Sequence, residues 1–176
     1  MLIPSPKPHG WQRLIQRITA LKPVAAFLRP ILSDVDRRVL GWTSGKYSLT
    51  YLLTGLPVVL VTTTGARSGL LRTTHLVPII SGDQIGLIGT ALGSRHYPAW
   101  YFNLRAHPQA TVAYQGVSVD YQAHLADPSE WDHFWQLALE CYPGYGAYRQ
   151  QITIRQIPIF VLTPITIQTE SQPGPS

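Results

Sequence analysis

The chain has 176 residues, 45% of them hydrophobic, and its 14 basic side chains against 9 acidic ones give a net charge of +5. This length and composition predict one domain with a real core, and the charge favours an anionic partner: a phosphorylated cofactor, nucleic acid or an acidic membrane surface. The single cysteine, Cys141, excludes an intrachain disulfide, and no apolar run is long enough to span a membrane. We therefore expect a cytoplasmic protein.

Residues 1–45 are predicted to form a helical segment ahead of the main domain. Apolar residues recur at helical spacing from Gly10 to Leu21, opposite a basic face. This helix either packs on the domain or touches a membrane, which would make the protein peripheral at the inner membrane face. A second helical segment is capped by Ser33 and Asp34. At the other end, residues 167–176 are polar and predict a flexible tail.

The main domain, predicted over residues 46–166, is organised around a hairpin. Val58–Val61 is a short β-branched run and predicts a buried strand, with the run Leu70–Ile80 as its partner. The turn between them is rich in glycine and hydroxyl residues and is flanked by Arg67 and Arg72. Glycine lets successive backbone amides point at one spot, and guanidinium groups bind phosphate or carboxylate, so the turn predicts an anion site. The alternative is an exposed turn with solvated arginines.

The next elements complete a sheet. Gln84–Gly89 predicts a third strand directly after the hairpin, which favours an antiparallel meander and excludes the usual dinucleotide-binding fold. A polar loop, Thr90–His96, precedes a helix that begins at Pro98. Two further strands, a helix from Asp127 to about Glu140 and a last strand over Ile157–Leu162 follow. At least six strands with inserted helices predict a mainly β, α+β fold: a small antiparallel barrel with helical cover.

Tyr142, Tyr145 and Tyr148 recur every third residue around a Pro-Gly pair. A phenol offers a flat ring and one hydroxyl, which suits stacking on a planar ligand, although an aromatic cluster closing one end of a barrel gives the same spacing. The histidines are scattered, so no metal site is expected, and the sequence contains no nucleophile elbow or P-loop. Such a protein most simply takes its chemistry from a cofactor.

Three segments, in this order along the chain, resemble the deazaflavin-dependent nitroreductase family: residues 61–74, residues 96–108, and residues 142–148 with 157–164. The resemblance implies an antiparallel, FMN-binding-like split β-barrel that binds coenzyme F420, an 8-hydroxy-5-deazaflavin with an anionic phosphodiester and oligoglutamate tail. It implies cofactor contacts from Thr64, Gly65, Arg67, Ser68, Gly69, Arg72, Thr74, Gly89, Thr90, Ala91, Leu92, Gly93, Ala99 and Trp100. The three tyrosines would then line the substrate side as catalytic residues, where a phenol orients or protonates the acceptor.

The implied activity is hydride transfer from C5 of reduced F420 to an electron-poor acceptor, which is a quinone, an enone or a nitro compound. Two alternatives stay open: an FMN-dependent split-barrel oxidoreductase, and a non-catalytic cofactor carrier or basic membrane-surface binder. Basic and aromatic residues are not interleaved along one segment, so nucleic acid is not expected as a partner. The sequence leaves monomer and homodimer open.

Overall fold

A computed structural model of the chain describes residues 56–165, with the side chain of Leu92 left undescribed. The predicted N-terminal helices and the tail lie outside the described residues, so those domain boundaries stay predictions. Three helices, a 3-10 turn and seven strands make up the described part. The helices are α1 (Ala99–Ala106), α2 (Pro128–Cys141) and α3 (Gly144–Gln151), and the 3-10 turn is Ala91–Gly93. The strands are β1 (Val59–Thr64), β2 (Leu71–Leu76), β3 (Ile79–Ser81), β4 (Gln84–Ile88), β5 (Gln109–Tyr114), β6 (Val117–Leu125) and β7 (Ile159–Pro164).

The connection between β2 and β3 shows that the sheet is curled. All neighbouring strands are antiparallel, in the order β2-β1-β5-β6-β7-β4-β3, which puts β2 and β3 at opposite edges. Leu76 ends β2 and Ile79 begins β3, and three residues span at most about 11 Å. Seven flat strands would hold the edge strands roughly 29 Å apart. The sheet must therefore roll up, which confirms the predicted split β-barrel.

The predicted three-stranded meander is wrong. The run Leu70–Ile80 forms two strands separated by Val77 and Pro78, and β4 pairs with β3 and β7 instead of β2. Proline has no N–H for a strand ladder, so pairing along this run stops at Pro78 and the chain crosses to the other edge. In a flat sheet, a short connection joins neighbouring strands and predicts a meander. In a curled sheet, it can also join the two edge strands, as it does here for β2 and β3.

Both faces of the sheet are covered. On β7, Phe160 and Leu162 point into a cluster with α1, whereas Ile159 and Val161 point into a second cluster with α2 and α3. The predicted helix after β6 is confirmed, and Asp127 caps it by accepting from the N–H groups of Ser129 and Glu130, each at 2.8 Å. No helix within residues 56–165 is long and apolar enough to cross a membrane.

Candidate functional site

The turn between β1 and β2 is a closed hairpin. The Gly65 N–H donates to the Leu70 carbonyl and the Gly69 N–H to the Gly65 carbonyl, both at 2.9 Å. Gly69 has φ +66°, in the left-handed region where an L side chain is strained. Glycine at this position therefore lets the chain reverse and start β2.

Most backbone amides of this turn already have partners. Besides the two glycines, Ala66 donates to Asn103 Oδ1 at 3.0 Å and Leu70 to Ser68 Oγ at 3.3 Å. Among the described residues, the N–H groups of Arg67 and Ser68 have no acceptor. The amides of the turn thus offer an anion two donors, fewer than the sequence suggested, and the guanidinium groups carry more of the recognition.

Strand register decides where Arg72 and Thr74 point. Arg72 lies opposite Thr63 and Thr74 opposite Val61, and directly opposed residues share a face of the sheet. Thr63 and Val61 are buried on the core side, so Arg72 and Thr74 project from the inner face at the open edge. Arg67 and Arg72 are exposed, and neither has a carboxylate within ion-pair distance in the part of the chain that the structure describes. Both are placed to meet an anion.

Asn103 joins this turn to α1. Its side chain is 92% buried; Nδ2 donates to Thr63 Oγ1 at 3.0 Å while Oδ1 accepts from the Ala66 N–H at 3.0 Å. Ala99 lies one turn earlier on the same helix face, and the first turn of α1 has no side-chain cap. Asn103, in the C-terminal half of α1, thus fixes this helix against the arginine-bearing turn. A polar residue on the apolar face of a predicted helix was the signal that could have revealed Asn103.

The second predicted loop, Thr90–His96, is held in its first part, Thr90–Ser94, by Arg155, which the sequence analysis missed. Arg155 Nη2 donates to the carbonyls of Thr90 at 3.1 Å and Ser94 at 3.0 Å, and Nε donates to Ser94 at 3.2 Å. The guanidinium also lies 4.8 Å from the centre of the Tyr97 ring. Burial lowers the pKa of Arg155 from its usual value. No local motif marks this arginine, because its partners are about 60 residues away.

Other predicted cofactor residues in this region also have defined surroundings. The Gly89 N–H donates to the Pro158 carbonyl at 2.8 Å, and a Cβ at Gly89 would collide with the Pro158 ring. Trp100 is buried and meets Phe160 edge-on at 6.2 Å. Gly89 and Trp100 thus pack against Pro158 and Phe160 and support the wall of the predicted site in this structure.

The three tyrosines lie in the second core cluster, on and beside α3, which packs next to the Ala91–Gly93 turn. Tyr145 meets the rings of Tyr142 and Tyr148 edge-on at 5.8 and 6.3 Å. Tyr142 and Tyr145 are buried, and burial raises the pKa of the Tyr145 phenol, so that group keeps its proton. Tyr148 is half-buried. The helix itself was not predicted, because Pro143 and Gly144 suggested a break.

Comparison with known proteins decides the family. The model of a family described as F420H(2)-dependent quinone reductase matches residues 38–164. The chain belongs to this family. An F420H(2)-dependent quinone reductase from Mycobacterium tuberculosis H37Rv is 31% identical over 109 residues, which cover 61% of this chain and 73% of that protein.

Solved structures agree with this assignment. The structure of an F420-H2 dependent reductase is 36% identical with a TM-score of 0.56, covering 60% of this chain and 93% of the other. A second structure, described as a domain-swapped dimer, is 34% identical with a TM-score of 0.56, covering 60% and 79%. The predicted oxidoreductase class is confirmed, and so is the use of reduced F420 by the family. The match favours the deazaflavin over FMN and an enzyme over a carrier or surface binder.

The donor set of this family member fits an anionic cofactor. Arg67 and Arg72 supply positive charge, and the Arg67 and Ser68 amides supply neutral donors. Within the described turn and the Thr90–Ser94 loop, no acidic side chain is present to repel an anion. A negatively charged cofactor tail can therefore bind here without repulsion from an acidic side chain of these two loops.

A separate cleft of about 510 Å³ lies beside Arg155. Its lining includes Tyr97, Trp131, Arg149 and much of residues 152–159. None of the residues that the sequence predicted for the cofactor or the acceptor lines it. Arg155 is thus the residue that connects this cleft to the Thr90–Ser94 loop.

Proposed function

We propose that this member of the family transfers a hydride from reduced F420 to a quinone, with enones and nitro compounds as further acceptors. The observation that carries the proposal is the link through Asn103, which fixes the arginine-bearing turn against β1 and α1. The two guanidinium groups of this turn thereby give the site a fixed region of positive potential. The name of the family favours a quinone among electron-poor acceptors.

The turn is proposed to bind the cofactor tail. Arg67 and Arg72 pair with the phosphodiester and carboxylate groups, and the backbone of Ser68 and Gly69 lets the tail approach closely. Thr64 and Gly65 set the start of this turn. Thr74 lies two residues beyond Arg72 on the same face of β2, which supports a contact nearer the deazaflavin ring.

The loop after β4 is proposed to approach the ring. Thr90, Ala91, Leu92 and Gly93 contribute through their backbone, and Ala99 contributes as the first residue of α1. Gly89 and Trp100 support this wall through Pro158 and Phe160. When bound, reduced F420 supplies the hydride, and the chain supplies orientation and charge.

Tyr148 is the tyrosine that we propose to contact the acceptor. It is half-buried, whereas Tyr142 and Tyr145 are buried. Tyr145 meets the Tyr148 ring edge-on, and Tyr142 in turn meets Tyr145 edge-on. A phenol at this position donates a hydrogen bond to the acceptor oxygen and orients it for hydride transfer. The raised pKa of Tyr145 makes that phenol a poor proton donor, which assigns it to packing.

The first experiment is a fluorescence titration of the apoprotein with F420 and, separately, with FMN at two salt concentrations. We expect tighter binding of F420 that weakens as salt rises, because guanidinium pairs with the tail are screened. Anaerobic mixing of reduced F420 with menadione and with a nitroaromatic compound then follows oxidation of the cofactor. Failure to bind F420, or binding without oxidation by menadione, would overturn the proposal.

The role of Tyr148 is tested in the same assay. Tyr148→Phe should slow menadione reduction by about tenfold or more while F420 affinity stays unchanged, since general acid–base and orienting groups contribute rate factors of this size and above. Tyr142→Phe is the matched control and should retain the rate. Equal rates in both variants would exclude a contact between the Tyr148 hydroxyl and the acceptor.

A further inference from the structure

The Thr90–Ser94 loop contains a strained residue. Ala91 has φ +46°, a left-handed conformation that costs an L residue with a Cβ more than it costs glycine. Such conformations persist when the surrounding structure over-determines them, and they cluster at ligand-binding sites. A specific contact must therefore hold Ala91 in place.

Arg155 supplies that contact on both sides of Ala91. Its guanidinium bonds the carbonyl of Thr90, directly before Ala91, and that of Ser94, three residues after it. The Gly93 and Ser94 N–H groups close the 3-10 turn onto Thr90 and Ala91 at 3.0 and 3.1 Å. The loop is thus held from one side by three charge-assisted hydrogen bonds and from within by two neutral ones.

This arrangement sets the direction of the Ala91 N–H. In a trans peptide, the carbonyl of one residue and the N–H of the next point in opposite directions. Because the Thr90 carbonyl points at Arg155, the Ala91 N–H points away from it. Among the described residues this N–H has no acceptor. It is therefore a fixed donor directed out of the loop.

We propose that Arg155 is a positioning residue of the cofactor site, which holds the strained Ala91 turn so that the Ala91 N–H donates to an oxygen acceptor of F420. The inference rests on the proposed function for the identity of the ligand. The positioning itself is a property of the chain without ligand. The two parts can therefore fail separately.

The positioning is measured by hydrogen exchange on the apoprotein. Arg155→Gln should accelerate exchange in residues 90–95 and leave peptides from the β1–β2 turn unchanged. Arg149→Gln is the matched control, since this guanidinium borders the same cleft and contacts Trp131 and Trp135 without bonding the loop. A residue that only braces the fold would raise exchange throughout the barrel. Uniform acceleration, or none in residues 90–95, would overturn the proposal.

The consequence for the ligand is measured by F420 titration. Arg155→Gln should weaken F420 binding about tenfold or more, the loss expected when an oriented donor to a charged or carbonyl oxygen is no longer held, and Arg149→Gln should match wild type. Unchanged affinity in Arg155→Gln with a loosened loop would refute the role of the Ala91 N–H. If the wild-type protein does not bind F420, the proposed function fails, and the exchange data still report on the positioning.

Arg155→Lys provides the second variant for the case in which Arg155→Gln does not fold. Lysine keeps the charge but has no planar fork to bond two carbonyls together. We expect a folded protein with faster exchange in residues 90–95 and weaker F420 binding than wild type. If Arg155→Lys showed the exchange and F420 affinity of wild type, a positive charge alone would be enough to hold the loop. That result would contradict positioning by the planar guanidinium.

Discussion

Asn103 donates a hydrogen bond to the hydroxyl of Thr63 at 3.0 Å, across 40 residues of sequence. The same side chain accepts from the Ala66 N–H, so one buried amide links β1, the turn and α1. A buried polar side chain with both ends satisfied stabilises a single arrangement, since every alternative leaves a donor or acceptor unpaired.

Replacing Asn103 by leucine should therefore affect stability and cofactor binding together. The change leaves the Thr63 hydroxyl and the Ala66 N–H without this partner, which should lower the free energy of unfolding by about 2 kcal/mol. Urea denaturation measures the loss, and F420 titration should show weaker binding because the turn is released. Thr62→Val is the control: the Thr62–Thr73 hydroxyl pair is exposed, so its loss should cost less than about 0.5 kcal/mol.

Replacing Arg72 by alanine should weaken F420 binding about tenfold and leave stability unchanged. The guanidinium is exposed and has no described carboxylate partner, so its charge is available to the tail. The dependence of binding on salt should also become shallower. Arg105→Ala removes an exposed cation from the last turn of α1 and should preserve F420 affinity. Equal losses in both variants would mean that only net charge matters.

Replacing Gly69 by alanine should destabilise the protein by about 1 kcal/mol, because φ +66° is strained for a residue with a Cβ. Apart from its chain neighbours, no atom of residues 56–165 lies within 4 Å of the position that this Cβ would take, so the cost is conformational. Gly69→Asn should cost less, since asparagine tolerates the left-handed region. In contrast, Gly146→Ala, in α3 with its nearest neighbour at 3.6 Å, should be neutral or stabilising. Thermal denaturation of the three variants tests this order.

Asp127 should make stability depend on pH at the acidic end. Hydrogen bonds from the Glu130 backbone and the Ser129 side chain lower the pKa of Asp127 below its usual 3.8. A lowered pKa in the folded state stabilises the fold above pH 3.8, and the stabilisation is lost as pH falls through the folded value. Asp127→Asn keeps a capping oxygen but does not titrate. The stability difference between wild type and Asp127→Asn should therefore shrink below pH 3.8, as measured by urea denaturation at several pH values.

Much of the architecture follows from local pattern. Short β-branched runs and the glycines at tight turns predicted strands and a hairpin that the structure contains, and the predicted helix from Asp127 is present as α2. The meander failed because strand order depends on closure of the barrel, which depends on Pro78 and on the curvature of the whole sheet. Helix α3 was missed because Pro143 and Gly144 suggested only a break, whereas they stand at the N-cap and first position of a new helix, where they do not interrupt it.

The sequence by itself determined the resemblance to an F420-dependent family and the residues of the proposed site: two arginines and a glycine at the turn, and the tyrosine-bearing segment. These features depend on residue type and short spacing, which are local. Only the tertiary structure decided which amides of the turn are already bonded, which face Arg72 occupies, and that Asn103 and Arg155 hold the two loops. Such contacts join residues 37 to 65 positions apart, and no local pattern encodes a partner at that distance.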